Sequence, residues 1–108
     1  MQKKKMEKIK LLKIPAELIN HLHQGNVIIF DVRTPMEFVH GHIEGAENVP
    51  FEEIENFEIE HLCCDKPIVT CSANDDRSHL VCKHLQKKGL NAFDGGEWGK
   101  LQKIMSQK

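Results

Sequence analysis

The sequence contains no long apolar run. No stretch of its 108 residues approaches the roughly 20 apolar residues that a membrane-spanning helix needs, so no membrane partner is expected. The lysine-rich start also lacks the continuous apolar segment and the small-residue cleavage site of a secretory signal. We therefore expect a cytoplasmic protein.

Cysteines are few and unevenly spaced. The four cysteines, two of which are adjacent, do not form the pattern of a disulfide framework, and reduced thiols are expected where no export signal is present. His61, Cys63 and Cys64 stand close together, but their spacing does not match a zinc site and no second pair follows. The sequence therefore predicts no metal site.

Positive charge is missing from the middle of the chain. Between Thr34 and Asp65 there is no Lys or Arg, while nine acidic residues occur there. A nucleic-acid partner is not expected, because phosphate binding needs clustered positive charge. Residues 1–13 carry a net charge of +5 and are interpreted as a solvated basic extension, with docking of an anionic partner as the alternative. Residues 14–108 are long enough for one domain.

Apolar runs and turn residues predict strands that alternate with helices. Val27 to Phe30 and Ile68 to Thr70 are typical of strands that are buried on both faces. Thr34-Pro35-Met36-Glu37 predicts a helix start with a capping box. Further helices are predicted over 15–25 (ended by Gly25), 78–88 (ended by Gly89), from about 97 and in part of 51–62, and further strands near 48–49 and 92–93. This order predicts an α/β fold, a three-layer α/β/α arrangement with a central, mostly parallel sheet.

Cys71 follows the second buried strand and precedes a predicted helix. Ligands of open α/β sheets bind beyond the carboxyl ends of the strands. A loop that turns from a strand into a helix can direct backbone N–H groups inward, and this field favours a nucleophilic thiolate. Arg77 can add a bidentate clamp for an oxyanion, and Ser78 can cap the helix or donate a hydrogen bond to the thiolate. From these residues alone, Cys71 is either a nucleophile or a small residue of the core.

The segment DVRTPMEFVHGHIEGAENVP, residues 31–50, resembles the first signature of the rhodanese family. The cysteine loop, the glycine after the next helix and the segment GGEW follow in the order and spacing of that family, so the resemblance covers roughly residues 14–104. It implies a rhodanese-like fold and a sulfurtransferase without a cofactor. In such an enzyme Cys71 takes sulfane sulfur from a donor such as thiosulfate or polysulfide as a persulfide, and passes it to cyanide or to a thiol, small or protein-borne. Asp31 and Arg33 resemble the family's strand-end pair, which holds the loops in place.

The loop after Cys71 departs from the pattern of the family. Sulfurtransferase members usually have Cys-x-x-x-x-Arg, whereas here five residues separate the cysteine from the arginine. The longer spacing is similar to that of the phosphatases and arsenate reductases that share this fold, and a catalytically inactive protein-binding domain is a third interpretation. Asp75 and Asp76 are expected to repel anions and to raise the pKa of Cys71, while the loop amides and Arg77 lower it. The predicted substrate-binding residues are Ser72, Ala73, Asn74, Asp75, Asp76, Arg77 and Ser78.

Overall fold

A computed structural model of the protein describes residues 14–57 and 66–107. Within these residues four strands form one parallel sheet in the order β2-β1-β3-β4, so β1 and β3 lie in its interior. The strands are β1 Ile28–Asp31, β2 Glu47–Asn48, β3 Ile68–Ser72 and β4 Ala92–Glu97.

Helices flank the sheet along the described segments. None of these helices is long and apolar enough to cross a membrane. They are α1 Ala16–His23, α2 Pro35–His40, the 3-10 helix Phe51–Asn56, α3 Arg77–Lys87 and α4 Trp98–Ser106.

Apolar side chains pack on both faces of the sheet. One core joins Ile68 of β3 to Leu85 of α3. The other joins Val69 of β3 to Leu22 of α1 and Leu101 of α4. Ile68 and Val69 belong to different cores because neighbouring residues of a strand point to opposite faces. The arrangement confirms the predicted α/β/α layers around a parallel sheet.

The local signals at the ends of the helices are confirmed. At the start of α2 the Glu37 N–H donates to the Thr34 hydroxyl at 3.2 Å, and the Thr34 N–H donates to the Glu37 carboxylate at 2.9 Å. This is the predicted capping box. Gly25 and Gly89 have φ angles of 69° and 86°, which end α1 and α3 in the left-handed conformation that glycine tolerates.

Two strands extend further than the sequence predicts. β3 continues through Cys71 to Ser72, and β4 continues through the double glycine to Glu97. The extra pairing arises because the Val32 N–H donates to the Cys71 carbonyl at 2.9 Å and Ser72 lies opposite Glu97. Cys71 therefore lies inside a strand, where the sequence places it just after one.

Some predictions concern residues outside the described segments. These are the basic extension 1–13, the second half of the acidic segment and the group formed by His61, Cys63 and Cys64. The first half of the acidic segment forms the 3-10 helix.

Candidate active site

Cys71 lies near the carboxyl end of an interior strand, beside Asp31 of β1. Its side chain belongs to the core that α1 and α4 share, together with the partly buried Trp98. None of its surface is accessible to solvent, since its exposed fraction is 0%. The thiol is therefore held as a core residue at the position where ligands of this kind of sheet bind.

Burial is the main influence on the acidity of the Cys71 thiol. It raises the pKa of Cys71, because a thiolate loses its hydration in the core, and the charges of Asp31 and Glu97 raise that pKa further. Arg33 acts in the opposite direction. The influences expected from the sequence were different groups, namely Asp75 and Asp76, which would raise this pKa, and the loop amides and Arg77, which would lower it.

Asp31 and Arg33 form a buried ion pair at the end of β1. The Arg33 Nε donates to Asp31 Oδ1 at 2.9 Å, and Nη2 donates to Oδ2 at 2.7 Å. The same Nη2 donates to the carbonyl of Gly41 at 2.7 Å, which ties the residue after α2 to the strand. The guanidinium carbon also lies 4.6 Å from the centre of the Trp98 ring. The pair thus connects β1, α2 and α4 around the thiol.

The loop between β3 and α3 is organised by bonds within itself. The Asp75 N–H donates to the Ala73 carbonyl at 2.9 Å, and the Arg77 N–H donates to Asp75 Oδ1 at 3.0 Å. The Ser78 N–H donates to the Ser72 hydroxyl at 3.3 Å. These three amides therefore serve the loop itself, whereas the sequence predicts loop amides around the thiol. Asn74, Asp75 and Asp76 are exposed.

Arg77 is held by two carboxylates. Its Nη1 and Nη2 donate to Glu37 of α2 at 3.1 and 3.3 Å, and its Nε donates to Asp75 at 2.9 Å. Hydrogen bonds from Arg77 lower the pKa of Glu37 to about 2 and also lower the pKa of Asp75. Arg77, which the sequence predicts to bind an oxyanion, therefore binds carboxylates of α2 and of its own loop instead.

Asp94 joins the start of α3 to the end of β4. Its Oδ1 accepts hydrogen bonds from the Ser78 hydroxyl at 2.8 Å and from the Gly96 N–H at 2.9 Å. The sequence patterns did not predict this role of Asp94. They also predicted Glu37 only as part of a helix cap and not as a partner of Arg77. The position of Asp94 directly before a double glycine is the local signal that points to it.

A cavity of about 530 Å³ opens beyond the carboxyl ends of β3 and β4. It is lined on one side by Ala73, Asn74, Asp75 and Asp76, and by Ser78 at the start of α3. Its other walls include the glycines of β4 and Lys100, Lys103 and Ile104 of α4. Most of the predicted substrate-binding residues thus meet at one cavity, while Cys71, Ser72 and Arg77 are not among its lining residues.

Comparison with known proteins identifies one family and several relatives. The sequence pattern described as "Rhodanese-like domain" matches residues 14–96. YqhL of Bacillus subtilis (strain 168) is 38% identical over 76 residues, which cover 66% of this chain and 60% of that relative. The thiosulfate sulfurtransferase GlpE of Ectopseudomonas mendocina (strain ymp) is 24% identical over 87 residues, which cover 78% of this chain and 79% of that protein.

The fold is similar to that of solved structures. Reduced CoADR-RHD of Bacillus anthracis matches with a TM-score of 0.66 and 25% identity over 82% of this chain. The match covers 16% of that much longer chain. This chain therefore spans less than two thirds of the length of YqhL and of CoADR-RHD.

Proposed function

Since this chain belongs to the rhodanese-like domain family, we propose that it is a sulfurtransferase in which Cys71 carries the sulfur as a persulfide. The observation that carries the proposal is the position of Cys71 at the carboxyl end of an interior strand, directly before the loop that borders the cavity. The relation to GlpE, a thiosulfate sulfurtransferase, supports the same chemistry at low identity.

The proposed cycle has two substitution steps at sulfur. The Cys71 thiol first loses its proton to water, and the thiolate attacks the outer sulfur of thiosulfate. A new S–S bond forms on Cys71, the S–S bond of the donor breaks, and its electron pair leaves with sulfite. An acceptor thiolate then attacks the terminal sulfur of the persulfide, and the Cys71 thiolate leaves with the electron pair of the bond that breaks. The balance requires no redox cofactor.

The buried state of the thiol sets the first requirement of this cycle. Because Cys71 has no exposed surface, the donor reaches the thiol after the side chains packed on it separate. The exposed residues Asn74 to Asp76 form the part of the loop that borders the cavity. We propose that the donor enters there. A reduced thiol at the start of each cycle also fits the cytosolic location that the sequence predicts.

Mass spectrometry of the protein after treatment with thiosulfate or polysulfide tests the proposal. We expect one added sulfur on the peptide that contains Cys71, and its removal by an added thiol. Cys71→Ser should abolish transfer to cyanide, whereas Cys82→Ser, which changes a cysteine of the opposite core, should retain it. Transfer by the Cys71→Ser variant at the parent rate would contradict the assignment.

The five residues between Cys71 and Arg77 favour a second candidate, a phosphatase or arsenate reductase. Such an enzyme needs the arginine to face the oxyanion, and here the guanidinium contacts Glu37 and Asp75. Turnover of an aryl phosphate without persulfide formation would support this candidate. Absence of both activities would support a protein-binding domain.

A further inference from the structure

The carboxylates around Arg77 carry more negative charge than the single positive charge of its guanidinium. Arg77 is the sole cation among residues 72–78, and both Glu37 and Asp75 contact it within 3.1 Å. Their lowered pKa values keep both carboxylates ionised at neutral pH, so the three side chains together carry one negative charge. The exposed Asp76 adds another on the same side of the cavity. Lys100 and Lys103 of α4 also line the cavity.

This arrangement makes Glu37 a competitor of any oxyanion that Arg77 could bind. The Glu37 carboxylate takes two N–H groups of the guanidinium, which is the bidentate geometry that a sulfonate or sulfate-like group would use. Glu37 is held in this place independently, because it also completes the capping box of α2. An incoming anion must therefore displace a positioned carboxylate or react without the help of Arg77.

We propose that Glu37 is a specificity-determining residue, which holds Arg77 away from the donor so that the site favours a monoanionic alkanethiosulfonate over dianionic thiosulfate. The inference rests on the proposed sulfur transfer and specifies its donor. The two donors react in the same way: the Cys71 thiolate attacks the outer sulfur, and sulfite or an alkanesulfinate leaves with the electron pair of the broken bond. They differ in charge, and Coulomb repulsion grows in proportion to it.

Glu37→Gln separates the charge of Glu37 from its structural role. Glutamine also completes a capping box, so α2 keeps its start, while the negative charge disappears. We expect the ratio of kcat/KM for thiosulfate to kcat/KM for methanethiosulfonate to rise about three- to tenfold, the range of one partly exposed charge contact. Asp75→Asn should change the ratio in the same direction. Glu53→Gln removes the same charge from the exposed face of the 3-10 helix and should leave the ratio unchanged.

A second measurement keeps the role of Glu37 separate from the sulfur-transfer proposal. Alkylation of Cys71 by the anion iodoacetate and by neutral iodoacetamide is compared by mass spectrometry of the Cys71 peptide. The iodoacetate to iodoacetamide rate ratio should rise in Glu37→Gln and not in Glu53→Gln. If no donor forms a persulfide but this ratio rises, the proposed function is wrong and the charge selection by Glu37 is supported. If sulfur transfer occurs, an equal ratio of kcat/KM for the two sulfur donors in parent and Glu37→Gln would overturn the inference. If no transfer occurs, an equal iodoacetate to iodoacetamide rate ratio in the two proteins would overturn it.

Discussion

Two opposing influences act on the Cys71 thiol, and burial is the stronger. Loss of hydration is the largest cause of its raised pKa, and the attraction of Arg33 does not offset it. The positive charge of Arg33 is itself balanced by the carboxylate of Asp31, which lies 2.7 Å away. The thiol therefore lies near an ion pair without net charge, which attracts a thiolate less than a single cation would. At neutral pH the resting protein therefore holds Cys71 as a thiol.

The raised pKa of Cys71 predicts a loss of stability in alkaline solution. In the unfolded chain a cysteine ionises near pH 8.5, whereas the folded protein keeps the proton to higher pH. The stabilisation is thus complete below about pH 8.5 and decreases as the pH rises above that value, by at most about 1.4 kcal/mol per pH unit. Urea unfolding from pH 7 to 10 under reducing conditions should show the stability difference between parent and Cys71→Ala falling as the pH rises.

Comparison with Cys82 provides a control for this effect. Burial also raises the pKa of Cys82, but this residue lies in the opposite core and keeps 4% of its surface exposed. In Cys82→Ala the free energy of unfolding should therefore still show the decrease with rising pH that is due to Cys71. A parent-minus-Cys71→Ala difference that stays constant over this pH range would mean that the thiol is hydrated in solution.

At the scale of elements, the close approach of β4 to β3 depends on Gly95. A Cβ atom at this position would lie 2.6 Å from the Thr70 carbonyl oxygen, 2.7 Å from Val69 Cγ1 and 2.9 Å from Leu101 Cδ2. These atoms belong to β3, the strand that contains Cys71, and to α4. The glycine therefore permits the packing that places α4 over the carboxyl end of β3.

Gly95→Ala is expected to lower the free energy of unfolding by about 3 kcal/mol, because the added methyl group overpacks two elements at once. Gly96→Ala is the matched comparison. Gly96 has a φ angle of 73° and no atom within 4 Å of an added Cβ, so the cost there is backbone strain of about 1 kcal/mol. Denaturant unfolding of the two variants checks the order. Equal losses would show that β4 shifts to accommodate the methyl group.

At the scale of the whole molecule, the sheet separates two cores, and Cys71 belongs to one of them. Leu101 lies in the core of Cys71 and Leu85 in the other, and both leucines have 0% exposure. A change in either core weakens the whole fold, because a domain of this size usually unfolds as one unit. A change in the core of Cys71 also affects the packing of the thiol.

Leu101→Ala and Leu85→Ala should each lower the free energy of unfolding by about 2–5 kcal/mol. Alkylation of Cys71 by iodoacetamide in native buffer should nevertheless be faster in Leu101→Ala, since the cavity left by the leucine loosens the packing around the thiol. The two alkylation rates are compared under conditions in which both variants have the same free energy of unfolding, so that the contribution of global unfolding is equal. Equal rates at equal stability would show that reagents reach Cys71 through global unfolding.

Short-range signals made much of the fold predictable. The apolar runs before Asp31 and Cys71 became interior strands, the Thr34–Glu37 pattern became a capping box, and Gly25 and Gly89 ended their helices. Each of these features depends on residues within about one turn or one strand, where composition and spacing carry the information. The motif of residues 31–50 likewise indicated the family from local sequence alone.

Long-range contacts decided the rest of the candidate site. The Glu37–Arg77 pair joins residues 40 positions apart, and the bond from Ser78 to Asp94 joins residues 16 positions apart. Cys71 shares the face of Val69 through the alternation along β3, but the continuation of β3 beyond Cys71 depends on the pairing of Ser72 with Glu97. These contacts cannot be predicted from sequence spacing, because a parallel sheet brings the ends of distant strands to one edge. At that edge each carboxylate has several hydrogen-bond donors within reach. The tertiary structure therefore decides whether Arg77 binds Glu37 or an incoming anion, and how deeply the thiol is buried.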